Sequence, residues 1–278
     1  MILSEKEVAT GERFAFGKNW RQFLRTLNDE RITEAEKSLK RRLSVENLQG
    51  KTFLDIGSGS GLFSLAARRL GAKVRSFDYD PVAVECTAEL RQRYFPNDPT
   101  WTIEQGSVLD AAYLQTLGKS DIVYSWGVLH HTGAMWQALE YVLTLVAPGG
   151  FLFISIYNDQ GGTSRRWRQM KRTYNRLPRY LRFLILIPLT IQLRGTRMLR
   201  DLLQHGNPFT SWQNYKKNRG MSAWRDLVDW AGGYPFEVAK PEEIFDFYRK
   251  RGFILEQLKT CGKGHGCNEY VFRKAEES

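Results

Sequence analysis

The chain has 278 residues, of which 42% are hydrophobic, 13% are aromatic and 26% are charged, and Lys and Arg outnumber Asp and Glu by 41 to 30. This length suffices for one elaborated domain with a buried core, and the aromatic content excludes a disordered chain. A polytopic membrane protein is excluded as well, because no apolar run approaches the roughly 20 residues of a spanning helix.

The cysteines and the first residues of the sequence indicate a reducing, cytoplasmic setting. The first residues carry acidic side chains and lack the apolar stretch of a secretion signal. Cys86, Cys261 and Cys267 form an odd set without paired spacing, and no His, Cys and carboxylate cluster has the spacing of metal ligands. We therefore expect neither a disulfide framework nor a metal site.

Residues 1–50 predict a helical cap ahead of the main domain. The segments FGKNWRQFLRTL and TEAEKSLKRRL both place apolar residues at three- and four-residue spacing, which is typical of helices. Thr33 followed by Glu36 has the form of a capping box and predicts a helix start at that point.

Residues 51–158 alternate between strand and helix patterns. Five apolar segments predict strands: TFLDI, KVRSFDYD, WTIEQGSVLD, DIVYSWGV and GFLFISIY. The stretches between them, such as LFSLAARRLGA and MWQALEYVLTLV, have helical spacing, and Pro81 suits a first helical position. This alternation is typical of a parallel sheet that is covered by helices on both faces.

Residues 159–237 predict a basic helical insertion. From residue 160 to residue 220 there are fourteen Lys or Arg and one acid, Asp201, a net of +13 in a chain whose total charge is +11. The same segment contains FLILIPLTIQL (residues 183–193), which is too short to cross a bilayer. Three interpretations stay open: packing on the main domain, contact with a membrane surface through residues 165–200, or binding of a large polyanion. Contact with a membrane surface would place this cytoplasmic protein at the inner face of a membrane.

Residues 238–278 predict the end of the main domain. PEEIFDFYRKRGF reads as a helix with Pro241 near its start and Gly252 at its end. FILEQLKT and NEYVFRK follow as two closing strands, joined by the glycine-rich CGKGHGC.

The most informative stretch is FLDIGSGSGLFSLAARRLGAKVRSFDYD. A strand ends near Asp55, Gly57, Gly59 and Gly61 form a tight turn that opens a helix, and Asp78 ends the next strand. This arrangement is typical of a nucleoside-binding βαβ unit, in which glycines permit close backbone approach and a carboxylate accepts hydrogen bonds from ribose hydroxyls.

The turn resembles that of the class I S-adenosylmethionine-dependent methyltransferases. Its spacing is G-x-G-x-G with an acid two residues before the first glycine, and in that family the turn faces the methionine part of the cofactor. The run from DIVYSWGV to APGGFLFIS resembles the family's fourth strand, the following helix and the P-G-G turn. The resemblance covers about residues 51–157, and the final strands more loosely.

The resemblance implies a fold, a cofactor and a set of binding residues. The fold is α/β: a Rossmann-like, doubly wound, mostly parallel seven-stranded sheet with an N-terminal helical cap and a helical insertion after the fifth strand. The cofactor is S-adenosylmethionine. The residues implied to bind it are Asp55, Gly57, Gly59 and Gly61 in the turn, Asp78 at the ribose, Tyr79 along the adenine, Ser107 and Val108 near the adenine amine, and Ser125 and Trp126 after the fourth strand.

Three histidines are candidate bases for the transfer. Methyl transfer from a sulfonium is an in-line displacement, so a base is needed only when the nucleophile arrives protonated. Ligands of open α/β sheets sit beyond the carboxyl ends of the strands. There His131 is the first candidate, followed by His130 and His265, and each of them also has a purely structural interpretation. The run at His130 and His131, with the GSGSG turn, resembles the ubiquinone-type O-methyltransferases within the class.

Four residues are expected to contact the acceptor. Trp20 and Tyr234 stand in two aromatic-rich stretches that are expected to roof the site as parts of a lid, and Tyr157 and Asn158 follow the fifth strand. The sequence thus predicts an enzyme that methylates a small or lipid-linked, anionic metabolite at oxygen. Two alternatives are a nucleic-acid methyltransferase, disfavoured because the apolar run interrupts the basic residues, and a cofactor-binding regulator without transfer activity. The identity of the acceptor and the oligomeric state stay open.

Overall fold

A seven-stranded sheet organises the molecule in the computed structural model, which describes residues 3–211, 223–262 and 266–276. The strands are β1 (Thr52–Ile56), β2 (Lys73–Asp78), β3 (Trp101–Gln105), β4 (Ser120–Trp126), β5 (Val146–Tyr157), β6 (Phe253–Lys259) and β7 (Cys267–Lys274). Their spatial order is β3-β2-β1-β4-β5-β7-β6. The pairs from β3 to β5 are parallel, whereas β7 runs antiparallel to both β5 and β6. The predicted Rossmann-like, mostly parallel fold is confirmed.

Helices precede the sheet, connect its strands and follow β5. They are α1 (Leu3–Ala9), α2 (Gly17–Leu24), α3 (Asp29–Leu43), α4 (Leu62–Arg69), α5 (Pro81–Tyr94), α6 (Ala111–Leu117), α7 (Met135–Thr144), α8 (Gly162–Arg176), α9 (Phe183–His205), α10 (Ala223–Gly232) and α11 (Pro241–Arg249). Short 3₁₀ turns lie at Leu129–His131 and Arg179–Leu181.

Helix α3 begins earlier than the sequence pattern indicates. The side chain of Asn28 accepts a hydrogen bond from the N–H of Arg31 and caps the helix. Thr33 and Glu36 therefore lie inside α3, and the predicted capping box is wrong. Asn28 takes this position because its side-chain oxygen satisfies a backbone N–H of the first turn.

Apolar side chains pack on both faces of the sheet. Consecutive residues of β1 point in opposite directions, so that Phe53 joins a cluster with Leu65 of α4, and Leu54 joins a second cluster with Leu139 of α7. Both faces are thus buried under helices, as expected for a doubly wound sheet.

Helices α8, α9 and α10 pack around a third apolar cluster. Its buried members are Trp167, Tyr174, Leu186, Leu189, Leu227, Ala231 and Phe236. These helices lie in the predicted insertion, while the exact division into residues 1–50, 51–158, 159–237 and 238–278 stays a prediction. Of the helices described, none combines the length and the apolar character needed to traverse a bilayer.

The carboxyl ends of the parallel strands meet at one edge of the sheet. Ile56, Asp78, Trp126 and Tyr157 are the last residues of β1, β2, β4 and β5. Open α/β sheets bind ligands beyond this edge, where the strand order reverses between β1 and β4.

Candidate active site

Backbone hydrogen bonds hold the turn after β1 against the end of β2. The N–H groups of Gly57 and Ser58 donate to the carbonyl oxygen of Phe77 over 2.8 and 3.1 Å, and Gly61 donates to the Ser58 carbonyl over 2.8 Å. The turn is therefore fixed by the protein itself, and it leads directly into the N-terminus of α4.

Two glycines of this turn stand where a side chain would not fit. Gly57 has a φ of +74°, and a Cβ atom there would lie 2.5 Å from the methyl carbons of Val128. Gly59 has a φ of +58°, and its Cβ would lie 3.0 Å from the indole of Trp20. The backbone can approach these neighbours only because both residues lack a Cβ. The structure thus places Trp20, a predicted acceptor contact, against the turn itself.

A buried chain of hydrogen bonds supports the turn from below. The indole N–H of Trp101 donates to the hydroxyl of Ser76 over 2.9 Å, and the hydroxyls of Ser76 and Ser64 lie 2.7 Å apart. Ser64 in turn donates to the carboxylate of Asp55 over 2.5 Å. Because a serine hydroxyl has one proton, the hydroxyl of Ser64 can only accept from Ser76, and Ser76 is the donor of that pair. Burial raises the pKa of Asp55 to about 7, although the Ser64 hydrogen bond opposes this shift. Asp55 therefore lies beneath the turn as its support.

The carboxylate of Asp78 faces the turn from the end of β2. Its Oδ2 accepts from the N–H of Gly59 and its Oδ1 from the N–H of Asp80, both over 2.9 Å. Burial raises the pKa of Asp78 to about 6, while these two hydrogen bonds and the guanidinium of Arg13 oppose the shift. Each carboxylate oxygen has further acceptor capacity, which is what binding of a ribose hydroxyl requires.

Arg13 connects the ends of β2 and β4. Its Nη1 donates to the carbonyl oxygen of His131 over 3.2 Å, and its guanidinium lies 4.7 Å from the ring centroid of Tyr79. Its Nε also pairs with Glu7 of α1 over 2.9 Å. The sequence places this arginine at the start of the first aromatic-rich stretch but gives it no role of its own, because His131 and Tyr79 come from distant segments. Tyr79 has one face against this cation, and its adenine contact stays a prediction.

Ser107 and Val108 lie in the loop after β3. The hydroxyl of Ser107 accepts from the N–H of Leu109 over 3.1 Å, which stabilises the loop, and Val108 is buried. The N–H of Gly106 donates to the carbonyl oxygen of Asp78 over 3.0 Å, so this loop is held beside the end of β2. The adenine contacts of Ser107 and Val108 stay predictions.

Ser125 and Trp126 end β4 with different exposures. The hydroxyl of Ser125 is buried and donates to the carbonyl oxygen of Ile56 over 3.1 Å, which joins β4 to the end of β1. Trp126 is 44% exposed at the same edge. Its side chain is accessible to a ligand there, and its cofactor contact stays a prediction.

His131 is buried in a 3₁₀ turn after β4, and its ring is held in one orientation. Its Nδ1 lies 2.6 Å from the carbonyl oxygen of Pro235, so Nδ1 carries the proton and donates. Burial lowers the pKa of His131 to about 3, although the Pro235 hydrogen bond opposes this shift. The ring is therefore neutral at pH 7, with its lone pair at Nε2.

His130 is completely buried beside His131. Its ring centroid lies 4.5 Å from that of His131 and 4.2 Å from that of Tyr157. Burial holds the pKa of His130 well below its usual value, although a backbone hydrogen bond with Ser155 opposes this shift. His130 is thus a neutral, buried ring in contact with His131 and Tyr157.

Tyr157 and Asn158 stand at the end of β5 with different surroundings. The ring of Tyr157 contacts both histidines and Phe236, whose ring centroid is 5.0 Å away. The Oδ1 of Asn158 accepts from Asn268 of β7 over 3.1 Å. Tyr157 therefore belongs to the histidine cluster, whereas Asn158 faces the neighbouring antiparallel strand.

Tyr234 connects the segment after α10 to the N-terminal residues. Its carbonyl oxygen accepts from the N–H of Phe14 over 2.9 Å, and Pro235, the next residue, holds His131. The two aromatic-rich stretches predicted to roof the site are thus in contact. His265, the third predicted base, lies outside the described residues.

One chemically important residue, Lys171 of α8, is not among the sequence-predicted site residues. It is completely buried, and its ammonium donates to the carbonyl oxygen of Trp230. Burial lowers the pKa of Lys171 to about 7. In the sequence it stands among Arg165, Arg166, Arg168 and Arg172 and looks like part of a solvated basic face.

The geometry fits an adenosyl cofactor at the carboxyl edge. The glycine turn excludes side chains, Asp78 presents acceptor oxygens beside it, and Tyr79 follows directly. Gly57, Gly59, Asp78 and Tyr79 would therefore hold the cofactor, while Asp55 supports the turn.

Comparisons with known proteins agree with this fit. A curated relative, the ribosomal protein L11 methyltransferase of Bacillus cereus, is 32% identical over 37% of this chain and 37% of its own length. The chain thus spans little more than a third of that relative. A match of this length does not indicate which substrate this chain methylates.

Solved methyltransferase structures share the fold. The magnesium protoporphyrin IX methyltransferase of Synechocystis PCC 6803, with bound SAH, has a TM-score of 0.52 at 15% identity and covers 88% of this chain and 83% of its own. The N-methyltransferase NodS of Bradyrhizobium japonicum WM9 has a TM-score of 0.50 at 16% identity and covers 90% of this chain and 99% of its own. The narrower resemblance to ubiquinone-type O-methyltransferases stays a prediction.

A family model described as a methyltransferase domain matches residues 27–215, well over half of the chain. The match includes the glycine turn, Asp78 and both buried histidines. The chain therefore belongs to the methyltransferase-domain family, within the class I S-adenosylmethionine-dependent methyltransferases.

Proposed function

We propose that this protein methylates an oxygen atom of a small, anionic metabolite, free or lipid-linked. The observation that carries the proposal is the orientation of His131, whose Nδ1–H is used by the Pro235 carbonyl while the neutral ring keeps a lone pair at Nε2. A hydroxyl nucleophile must lose a proton during methylation, and this lone pair can accept it.

The low pKa of His131 determines when the proton moves. With a pKa of about 3 the ring is a weak base, so it does not ionise a free hydroxyl in advance. As the oxygen bonds to carbon, the hydroxyl becomes strongly acidic, and Nε2 can then take the proton. S-Adenosylmethionine, when bound, supplies a methyl carbon activated by the adjacent sulfonium charge.

The residues around His131 position the acceptor and exclude water. The rings of Tyr157 and Phe16 lie 5.5 and 5.0 Å from that of His131 and form an apolar wall. Arg13 and the net charge of +13 between residues 160 and 220 supply the positive field that favours an anionic acceptor.

The proposal is tested by supplying purified protein with S-adenosylmethionine that carries deuterium in its methyl group, together with metabolite and lipid extracts. Mass spectrometry should find a deuteriomethyl ether or ester of an anionic compound, and His131→Ala should not form it. An N-methylated product, or label in the protein or RNA fraction, would contradict the proposal.

A second proposal concerns where the protein acts: helix α9 favours contact with an anionic membrane surface. Seven large apolar side chains are exposed along it: Phe183, Leu184, Ile187, Ile191, Leu199, Leu202 and Leu203. Several of them recur at three- or four-residue spacing, and the same helix carries Arg194, Arg197 and Arg200. An apolar face with arginines is the pattern of a helix that lies in a bilayer interface.

Vesicle sedimentation tests this contact. The protein should sediment with vesicles that contain phosphatidylglycerol and less with pure phosphatidylcholine. Replacing both Ile187 and Ile191 by Glu should abolish sedimentation, because charges would face the acyl chains. Gln204→Glu, an exposed change on α9 whose neighbours one turn earlier are Arg200 and Asp201, should not. Equal sedimentation of all variants would contradict the contact.

A further inference from the structure

The segment of residues 234–239 connects helix α10 to helix α11 and lies against the carboxyl ends of β4 and β5. The N–H of Glu237 donates to the carbonyl oxygen of His130 over 3.0 Å. The N–H of Ala239 donates to the carbonyl oxygen of Tyr157, the last residue of β5, also over 3.0 Å. Backbone hydrogen bonds thus join segment 234–239 to the turn after β4 and to the end of β5.

The same segment determines which nitrogen of His131 carries the proton. The carbonyl oxygen of Pro235 accepts from Nδ1 of His131, which leaves the lone pair at Nε2. A neutral imidazole can carry its proton on either nitrogen, and the hydrogen bond that one nitrogen makes decides which form is present. Because hydrogen bonds weaken steeply when their geometry is disturbed, the tautomer of His131 depends on the position of segment 234–239.

Helix α7, which begins four residues after His131, has no cap from its own residues. Its N-cap residue is Ala134, whose side chain cannot accept a hydrogen bond, and the N–H of Met135 lies in the first turn, where N–H groups lack helical partners. The carboxylate of Glu237 accepts from this N–H over 3.0 Å. Its negative charge is also favourable at the positive end of the helix dipole. Glu237 therefore caps α7 from 102 positions along the chain.

The cap lies in a part of the molecule from which water is largely excluded. Met135 is buried, and burial also raises the pKa of Glu237, although the backbone N–H groups of Met135 and Gly133 oppose this shift. Segment 234–239 thus holds the turn after β4 at the His130 oxygen, at the His131 ring and at the start of α7. The first two bonds come from the backbone of the segment, so the carboxylate of Glu237 is the contact that a substitution removes.

We propose that Glu237 is a positioning residue for the methyl transfer: its carboxylate ties segment 234–239 to the start of α7 and so keeps the Pro235 carbonyl on Nδ1 of His131. Glu237 acts on His131 through this segment. The proposal rests on the proposed function, in which the lone pair at Nε2 accepts the proton of the hydroxyl nucleophile. It assigns to Glu237 the task of keeping that lone pair available.

The test observes the tautomer of His131 by ¹⁵N NMR of the imidazole nitrogens in the whole protein, and His131→Gln identifies the signals. In the wild type, Nδ1 should have the shift of a protonated nitrogen and Nε2 that of an unprotonated one. In Glu237→Ala the segment should move away from the ring. The proton should then shift largely to Nε2, and the pKa of His131 should rise from about 3 towards that of a free histidine.

Glu243→Ala is the matched control. Glu243 accepts from the N–H of Lys240 over 2.7 Å and caps α11, so this variant also removes a glutamate from a helix start. Because Glu243 lies outside segment 234–239, the signals of His131 should not change. Glu237→Gln keeps an accepting oxygen for the N–H of Met135 and should retain most of the form protonated at Nδ1.

Three outcomes would overturn the role of Glu237: a folded Glu237→Ala protein with unchanged His131 signals, a Glu243→Ala protein with the same change as Glu237→Ala, or a Glu237→Gln protein as altered as Glu237→Ala. If Glu237→Ala does not fold, Glu237→Asp replaces it. Its carboxylate is one methylene shorter, so both tautomers should be present, and unchanged signals would overturn the role as well.

The NMR measurement needs no methyl acceptor, so it separates this proposal from the proposed function. Unchanged His131 signals in the Glu237 variants overturn the role of Glu237 and leave the proposed base in place. A wild type in which Nε2 of His131 carries the proton overturns the proposed base itself, because no lone pair is then available at that nitrogen.

Discussion

The backbone N–H of Gly59 donates a 2.9 Å hydrogen bond to the carboxylate of Asp78. This bond joins the glycine turn after β1 to the acid that ends β2, two features that the sequence separates by 19 positions. Because the N–H of Asp80 holds the other carboxylate oxygen, the orientation of the carboxylate is set by the backbone. The proposed cofactor site is therefore organised before the cofactor arrives.

Asp78→Asn tests the ribose contact with little change in shape. The amide loses the charge-assisted hydrogen bond to the ribose, worth about 1–3 kcal/mol, and its NH₂ group cannot accept from the N–H of Gly59 or Asp80, so the Kd for S-adenosylhomocysteine should rise at least tenfold. Isothermal titration calorimetry measures this change. Asp98→Asn, a carboxylate just before β3 at the opposite edge, is the control and should bind normally. Unchanged affinity in Asp78→Asn would remove the ribose role.

Gly57→Ala tests the close approach of the turn to Val128. Gly57 and Gly206 have similar φ values of +74° and +66°, but a Cβ at Gly57 would clash with Val128, whereas nothing lies within 4 Å of one at Gly206. Gly206→Ala, in the left-handed residue that ends α9, should cost only the backbone strain, about 1–2 kcal/mol. Gly57→Ala should lower the free energy of unfolding further and abolish S-adenosylhomocysteine binding, as urea unfolding and calorimetry would measure. Equal effects of the two changes would argue against the clash.

His131→Ala separates a base from a structural histidine. If Nε2 of His131 takes the proton from the hydroxyl group of the substrate, the turnover of the substrate identified by mass spectrometry should fall roughly 10²–10⁴-fold in His131→Ala. The affinity for S-adenosylhomocysteine should stay the same. His205→Ala at the end of α9 serves as the control. A His131→Ala protein that loses stability but turns over normally would return His131 to a structural role.

Lys171 makes the stability depend on pH in a defined direction. Its pKa is about 7 in the folded protein against 10.5 for a free lysine, so between these values the unfolded chain binds the proton more tightly. The free energy of unfolding must then rise with pH through this window. From pH 7 to pH 9 the wild type should gain about 2 kcal/mol relative to Lys171→Met.

Urea unfolding of both proteins at the two pH values measures this difference, because contributions from other groups cancel. Arg172→Met should follow the wild type. Parallel pH profiles for the wild type and Lys171→Met would mean that the ammonium is not destabilised by burial.

Local patterns predicted the sheet and the turn because they depend on neighbouring residues. TFLDI became β1, Pro81 opens α5, and the three glycines all have positive φ. The capping box at Thr33 was wrong because a better cap, Asn28, lies one turn earlier and extends the helix.

The parts that the sequence did not predict depend on contacts between distant segments. The burial of Lys171 is produced by Trp230 and Phe236, some 60 residues along the chain, and the contact of Arg13 with His131 spans 118 positions. The low pKa of His131 likewise arises from burial, which no local pattern records. The sequence therefore predicts the local structure of the glycine turn better than the long-range contacts around His131 and Lys171.

The central claim is that the turn after β1 and Asp78 bind an adenosyl sulfonium cofactor. Calorimetric titration of the purified, folded protein with S-adenosylhomocysteine tests it most directly. We predict saturable binding with one ligand per chain, which Asp78→Asn weakens and Asp98→Asn leaves intact. Absence of heat, together with an unchanged melting temperature at high ligand concentration, would contradict the claim.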